Sequence, residues 1–186
     1  KRTLVRHASG LHVLPAPAAL EEASQIEPEA LRHLLTRLRE TFPTVVLDLG
    51  KGLQATDLVG LELADTVLLV VHLEPACLRN AVRMIALFRQ FDGMAEKVRI
   101  VANRVGSIPG EVSPKKAEEL LRAPVQCLIP NESKTFLAAR TRGVTVEADS
   151  PGSRAHRAML ELARAFGSAE TARPRGGFGR LAASFF

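Results

Sequence analysis

Three short polar segments each follow an apolar run, and their residue types are those that bind nucleotides. The first contains Asp48, Gly50 and Gly52, directly after residues 44–47. A carboxylate can hold a magnesium ion through water, and glycines let backbone amides approach a phosphate. A turn aspartate flanked by turn glycines explains this segment equally well, so alone it leaves both interpretations open.

The second and third segments carry groups that suit a nucleotide base. Asn103 and Arg104 follow residues 98–102, and Pro130 and Asn131 follow residues 125–129. A carboxamide offers a donor and an acceptor side by side, which fits the edge of adenine, and a guanidinium can stack on the ring. A proline fixes the loop beside it. Singly, each segment is more simply a polar strand end or a turn; together they favour a nucleotide site.

The elements that must position these residues alternate along the chain. Apolar runs without a polar side predict strands covered on both faces, at residues 45–48, 66–71, 98–102 and 125–129, with a weaker candidate at 11–14. Helical spacing and start signals predict helices from Pro28, over 78–88, and from Ser113, Ser133 and Ser150, the last ending at Gly167. This alternation predicts an α/β fold with a mostly parallel sheet flanked by helices. Ligands of such sheets bind beyond the carboxyl ends of the strands.

Composition sets broad limits on the class of protein. The chain has 186 residues, which suits one domain, and 25 basic against 20 acidic residues give a mild bias towards anionic partners. Cys77 and Cys127 lack metal or redox spacing and predict reduced thiols. No apolar stretch approaches the roughly 18 residues of a membrane span, so we expect a cytoplasmic protein.

The three segments in this order resemble the MinD/ParA group of deviant P-loop ATPases. The stretches TVVLDLGKGL, LADTVLLVVHLEPACLRNAVRM, KVRIVANRV and APVQCLIPNE, together with GLHVLPAP, resemble most the CpaE/TadZ branch, which localises pilus-assembly machinery. The resemblance covers about residues 10–167. It implies a P-loop NTPase-like fold of the SIMIBI/MinD type, ATP and Mg²⁺ as ligands, and a homodimer around the nucleotide.

The resemblance also implies roles for individual residues. Asp48 would be the switch and Walker B acid near magnesium, and Gly52 the second-switch glycine that senses the γ-phosphate. Gly50 stands where the family usually has proline, so this switch departs from the pattern. Adenine contacts are assigned to Asn103, Arg104, Pro130 and Asn131.

One expected part of such an ATPase has no counterpart in this sequence. Neither GxxxxGK(S/T) nor GKGG(T/S) occurs, and the family's phosphate loop, first strand and first helix should precede everything seen here. That loop supplies the amide cradle and the lysine, so we expect this chain to be inactive alone. The missing strand should lie beside the strand ending at Asp48. We expect upstream residues to supply it, or a partner to cover the open edge.

The C-terminal segment carries a second pattern. We divide the chain into a domain at residues 1–167 and a linker with a tail at 168–186. Phe178, Leu181 and Phe185 follow a helical spacing among arginines, which is typical of a short basic helix lying on an anionic membrane. We therefore also expect peripheral contact with the inner membrane, with a disordered tail or a helix docked on protein as the alternatives.

Several functions fit this resemblance. The leading hypothesis is an ATPase that positions pilus-assembly or secretion machinery. The alternatives are a non-catalytic scaffold of the same fold and a ParA- or MinD-like ATPase for chromosome partition or septum positioning. A ParA-like protein would bind DNA through basic helix faces, for which the sequence offers Arg32, Arg37, Arg39, Arg83 and Arg89. Fold analogy does not choose among these cargoes.

Overall fold

Eight helices and seven strands are defined in the computed structural model, which describes residues 4–17, 19, 21, 25–50, 53–167 and 180–185. The strands are β1 Val5–Arg6, β2 His12–Val13, β3 Thr44–Asp48, β4 Thr66–Val71, β5 Val98–Val105, β6 Val125–Pro130 and β7 Arg180–Phe185. The helices are α1 Pro28–Thr41, α2 Ala55–Leu63, α3 Pro75–Phe88, α4 Met94–Lys97, α5 Pro114–Leu121, α6 Ser133–Arg142, α7 Val146–Asp149 and α8 Arg154–Gly167.

The main sheet has five strands in the order β3-β7-β4-β5-β6, and every neighbouring pair is parallel. Helices cover both faces of β4 and β5, which explains why these strands are apolar at consecutive positions. The α/β class and the four predicted strands of this sheet are confirmed, with β5 extending to Val105 and β6 to Pro130. The candidate at 11–14 instead belongs to a separate two-stranded antiparallel hairpin, formed by β1 and β2.

The larger core lies on the sheet face that α2, α3 and α5 cover. It is built mainly from aliphatic side chains, as the scarcity of aromatic residues requires, and its fully buried members include Leu61, Val67, Val71, Leu78, Phe88 and Ile100. Burying a side chain of this size contributes about 1.5–3 kcal/mol. A smaller core on the opposite face joins Val101 and Ile129 to Ala155 of α8.

Local signals set most helix starts. Pro28 and Pro114 occupy first turns, where the missing N–H costs nothing, and the Ser113 hydroxyl accepts the Lys116 N–H at 3.3 Å. The Asp57 carboxylate accepts the Gln54 N–H at 3.0 Å and fixes the start of α2. Among the described residues, no helix is long and apolar enough to cross a membrane.

The predicted start of the last helix at Ser150 is wrong. The Ser150 N–H instead donates to the Val146 carbonyl at 2.8 Å and closes the short helix α7. The helix α8 begins at Arg154, where the Ser153 hydroxyl accepts the His156 N–H at 3.2 Å. Ser150 and Ser153 both lie close to Pro151, so the sequence offers two possible caps. The backbone of Ser150 ends α7, and Ser153 caps α8.

The C-terminal segment differs most from its prediction. Residues 180–185 form a strand rather than a helix, so the helical spacing was misleading there. The strand β7 lies between β3 and β4, pairing Thr44 with Arg180 on one side and Thr66 with Ala182 on the other. It fills the central position expected to be open. Leu181 and Phe185 lie in this strand, whereas Phe178 lies outside the described residues.

The two cysteines pack against the two cores. Cys77 and Cys127 are both free and half-buried. Burial raises the pKa of the Cys127 thiol, and the nearby Glu161 carboxylate adds to the rise. A thiol with a raised pKa stays protonated and unreactive, which fits a structural role.

Candidate functional site

The carboxyl ends of the parallel strands share one edge of the sheet, which we call the rim. Asp48 ends β3, Val105 ends β5 and Pro130 ends β6, so all three predicted segments reach this rim. They are not equally close. Two strands, β7 and β4, separate β3 from β5, which places Asp48 about 14 Å from the β5 end at the usual strand spacing.

Asn103 and Arg104 lie in a bulge near the end of β5. The register against β6 shifts between Ala102 and Val105. Arg104 has a left-handed backbone, with φ of 55°, and its N–H donates to the Asn103 Oδ1 at 2.9 Å. A non-glycine residue pays about 1–2 kcal/mol for this conformation. Such strain is concentrated at functional sites, which marks this bulge as a candidate.

The loop after β6 lies directly against that bulge. The Asn131 N–H donates to the Val105 carbonyl at 2.8 Å, and Pro130 is the register partner of Val105. We call the four residues Asn103, Arg104, Pro130 and Asn131 the β5–β6 corner. Three of them are half-buried and Arg104 is exposed. The corner therefore brings a carboxamide, a guanidinium and a proline ring together at one end of the sheet.

Glu132 anchors this loop to a distant helix. Its carboxylate accepts the Ala155 N–H at 2.8 Å and the Arg154 Nε–H at 3.1 Å. These contacts, with the Ala155 bond the largest, lower the pKa of the Glu132 carboxyl. Its own backbone carbonyl accepts the N–H groups of Thr135 and Phe136, which opens α6. Sequence reasoning missed this role because the partners lie more than twenty residues away.

A second acid closes the loop after β5. The Glu111 carboxylate accepts the Gly106 N–H at 2.7 Å, and the Val112 N–H donates to the Leu73 carbonyl at 2.8 Å. Gly106 and Gly110 both have positive φ, at 84° and 77°, so the turn needs its glycines. This loop ties the end of β5 to the end of β4. The sequence offered no signal for Glu111.

The Asp48 end of the rim is more open. Asp48 is exposed, and Gly52 lies outside the described residues. Gly60 of α2 faces this end, where an added Cβ would meet the Leu47 Cδ1 at 3.1 Å and the Leu49 Cδ2 at 3.3 Å. Its lack of a side chain lets α2 approach β3 closely. The described residues contain no cluster of three metal-binding side chains. One carboxylate is nevertheless enough for magnesium that is bound mainly through water and phosphate.

An apolar groove of about 530 Å³ lies between α3 and the second half of β4. Leu53, Val71, Cys77 and Met84 line it, and Asn80 and Arg83 bring polar groups to it. None of the four residues of the β5–β6 corner lines it.

Comparison with known proteins gives the same fold. Two uncharacterized ATP-binding proteins of Methanocaldococcus jannaschii are 25% and 27% identical, over 88% and 86% of this chain. The ParA family ATPase of Chlorobium tepidum superposes with a TM-score of 0.80 at 21% identity, covering 86% of this chain and 65% of that one. The MinD of Pyrococcus horikoshii, solved with Mg-ADP, superposes with a TM-score of 0.78 at 18% identity, covering 94% and 71%. No family model matches the chain.

The matches support the superfamily but not a branch. The chain spans about three fifths of the length of the two curated relatives, at 61% and 60%. These proteins are named for ATP binding, ParA and MinD, so the broader resemblance is confirmed and the CpaE/TadZ branch stays a prediction. The chain has the α/β fold of the MinD/ParA-type P-loop ATPases and resembles that superfamily in sequence.

Proposed function

We propose that this chain is the adenine-binding part of a MinD/ParA-like ATPase, and that the β5–β6 corner receives the base. The observation that carries the proposal is the hydrogen bond from the Asn131 N–H to the Val105 carbonyl, which joins the Asn-Arg bulge to the Pro-Asn loop. The Asn103 carboxamide would bind the edge of the ring. Arg104 would stack on its face, and Pro130 and Asn131 would close over it.

The phosphates of the nucleotide would then point towards β3. A nucleoside triphosphate is long enough to run along the rim from the corner to Asp48. Asp48 would hold magnesium through water, and Gly52 would approach the γ-phosphate. When bound, magnesium supplies positive charge that stabilises the negative charge of the phosphates. This sequence carries no phosphate-binding motif, so phosphoryl transfer would require residues beyond it.

An NMR titration tests the base site. We expect AMP and Mg-ATP to shift the backbone amides of Asn103, Arg104 and Asn131 in the full chain. The two ligands should bind with similar affinity, because the base makes most of the contacts. Replacing Asn103 by Ala should weaken both equally, whereas Asn80→Ala, in the groove, should change neither. Shifts confined to the groove, or none at saturating AMP, would contradict the proposal.

We also propose that the complete ATPase forms a homodimer around ATP. The support is the exposed position of Asp48 and Arg104 on one open rim, which a second subunit can cover. Sedimentation of the longest gene product that contains this sequence tests the proposal. We expect a dimer with ATP and a monomer with ADP. A monomer under both conditions contradicts it.

For the cargo we propose pilus-assembly or secretion machinery, on the CpaE/TadZ-like motifs alone. Partition and septum roles are equally consistent with the relatives named above. Deleting the gene distinguishes them, since loss of surface pili without division defects supports the first role. Anucleate cells or minicells would instead indicate a ParA- or MinD-like role.

A DNA-binding role has less support once the contacts of the arginines are known than the sequence alone gave it. Three of the five arginines proposed for a basic face are engaged: Arg32 with Glu62 at 2.7 Å, Arg37 with Glu40 at 3.0 Å and Arg39 with the Leu63 carbonyl at 2.8 Å. Ion pairing reduces the positive charge available to phosphates. DNA affinity that falls steeply with added salt would restore the ParA-like interpretation.

A further inference from the structure

Glu132 bonds the β5–β6 corner to the starts of two helices. It follows the last residues of the β5–β6 corner, its backbone carbonyl opens α6, and its carboxylate caps the start of α8 through the Ala155 N–H. Its side chain is only 16% exposed, whereas that of its partner Arg154 is 68% exposed. The acid is therefore held inside the junction, with the arginine covering it from outside.

The helix that Glu132 caps is fixed in place. Ala155 is fully buried and packs with Ile129 of β6 and Val101 of β5. The first turn of α8 therefore moves little relative to the sheet. A carboxylate bonded to such an anchor holds its own backbone at a defined distance from the strands.

The Pro-Asn loop is consequently tied at both ends. The Asn131 N–H is bonded to β5, and the next residue, Glu132, is bonded to α8. A loop held in this way keeps its binding geometry before the ligand arrives, which lowers the entropy cost of binding.

We infer that Glu132 is a positioning residue of the nucleotide site: its carboxylate, bonded to the first turn of α8, sets the Pro130–Asn131 loop and couples occupation of the β5–β6 corner to that helix. The inference rests on the proposed function. Coupling of this kind is reciprocal, so a base seated on the loop should tighten the start of α8.

The test uses the full chain with AMP as the probe. Glu132→Gln keeps the shape but removes the charge, so the ion pair with Arg154 is lost and the Ala155 N–H is left with a weaker, neutral acceptor. We expect AMP affinity to fall about fivefold or more, a typical coupling factor. AMP should slow hydrogen exchange at Ala155 in the original chain and fail to do so in the variant. Glu119→Gln, on the exposed pair with Lys116, is the matched control and should change neither.

A second variant keeps the test valid if Glu132→Gln unfolds the chain. Arg154→Gln leaves the Ala155 bond in place, so we expect a smaller loss of AMP affinity with the same direction. Unchanged AMP affinity and unchanged Ala155 exchange in both variants would overturn the inference.

The two proposals fail in different ways. If the original chain does not bind AMP, the proposed base site is wrong. The positioning role is then decided without nucleotide, by exchange at the Asn131 amide. Faster exchange in Glu132→Gln than in Glu119→Gln retains the positioning role, whereas equal exchange rejects it.

Discussion

Arg104 is the residue whose conformation is hardest to explain by folding alone. It is one of two described non-glycine residues with positive φ, and the other, Arg122, ends α5 in the usual left-handed cap. Nothing of that kind requires Arg104 to be left-handed, because it lies inside a strand. The bulge interrupts the regular pairing of β5 with β6 at Asn103 and Arg104.

Substitution at Arg104 should separate strain from binding. We expect Arg104→Gly to be about 0.5–1 kcal/mol more stable than Arg104→Ala, because glycine adopts positive φ without strain. Both should weaken AMP binding, since both lack the guanidinium. Urea unfolding and an AMP titration measure the two effects. The same substitutions at Arg122 should show the same order of stability with unchanged AMP binding. Weakened binding there would mean that a general loss of stability, not the missing Arg104 guanidinium, lowers the affinity.

The pH dependence of stability should reveal Glu132. Its folded-state pKa is lowered by the Ala155 N–H first and by Arg154 next, with Arg157 contributing charge. The carboxylate therefore stabilises the fold above the ordinary glutamate pKa of about 4.3, and this contribution is lost as pH falls through the lowered value.

Comparison with Glu132→Gln isolates that contribution. We expect the original chain to be more stable than the variant at pH 6, with the difference shrinking as the pH falls below about 4. Thermal unfolding across this range measures it. A difference that stays constant with pH would show that the charge of Glu132 does not matter.

At the scale of elements, the residue at which α8 begins decides which backbone N–H group lies within reach of the Glu132 carboxylate. Because α7 uses Ser150, the next helix starts after Ser153, and the first free N–H groups fall beside the β6 loop. A helix starting three residues earlier would present a different turn to Glu132. The end of the short helix α7 thus helps to set which turn of α8 meets Glu132.

Removing the cap should test this boundary. We expect Ser153→Ala to cost about 1 kcal/mol, because the hydroxyl no longer accepts the His156 N–H. Ser150→Ala should cost less, since its backbone rather than its hydroxyl closes α7. Urea unfolding of both variants provides the comparison. An equal or larger loss at Ser150 would mean that the predicted start was right after all.

The sequence predicts some of these elements and misses others. The strands β3 to β6 were predictable, because apolar runs identify buried strands. That the segments after β5 and β6 meet was also predictable, because the ends of parallel strands lie at one edge, whereas their role as a base site stays a prediction. The helix α8 was placed three residues early, since two serines compete as caps. Glu132 was not found as an anchor, because its contact with Ala155 exists only once α8 has packed on β6. Glu111 was not found either, because the sequence offered no signal for its bond to the Gly106 N–H.

At the scale of the whole molecule, the sheet is completed by the strand that is most distant from its neighbours in sequence, residues 180–185. The strand β7 lies between β3 and β4, which are consecutive in the chain but not adjacent in the sheet. Its six residues fit a helical spacing as well as a strand, and its partners lie far away in sequence. Local pattern therefore could not identify it, and the resemblance led us to expect upstream residues or a partner at that position instead.

Proline in this strand should disrupt the sheet. Ala183 pairs with Leu47 on one side and Val67 on the other, so Ala183→Pro removes an N–H from the ladder in its centre. We expect faster hydrogen exchange across residues 45–48 and 66–69. Ala183→Gly keeps the N–H and should have a much smaller effect. Equal protection in both variants would show that β7 is not needed for the order of its neighbours.

The position of β7 also determines the order in which the strands of the sheet can pair during synthesis. Thr44 and Thr66 are synthesised long before Arg180 and Ala182, with which they pair. Among the strands that the structure describes, none other than β7 lies between β3 and β4, so their facing edges are unsatisfied until residues 180–185 are added. Pairings over such chain distances form late and slowly, and exposed edges attract other chains meanwhile. Newly made copies should therefore depend on a chaperone until the last strand has been inserted.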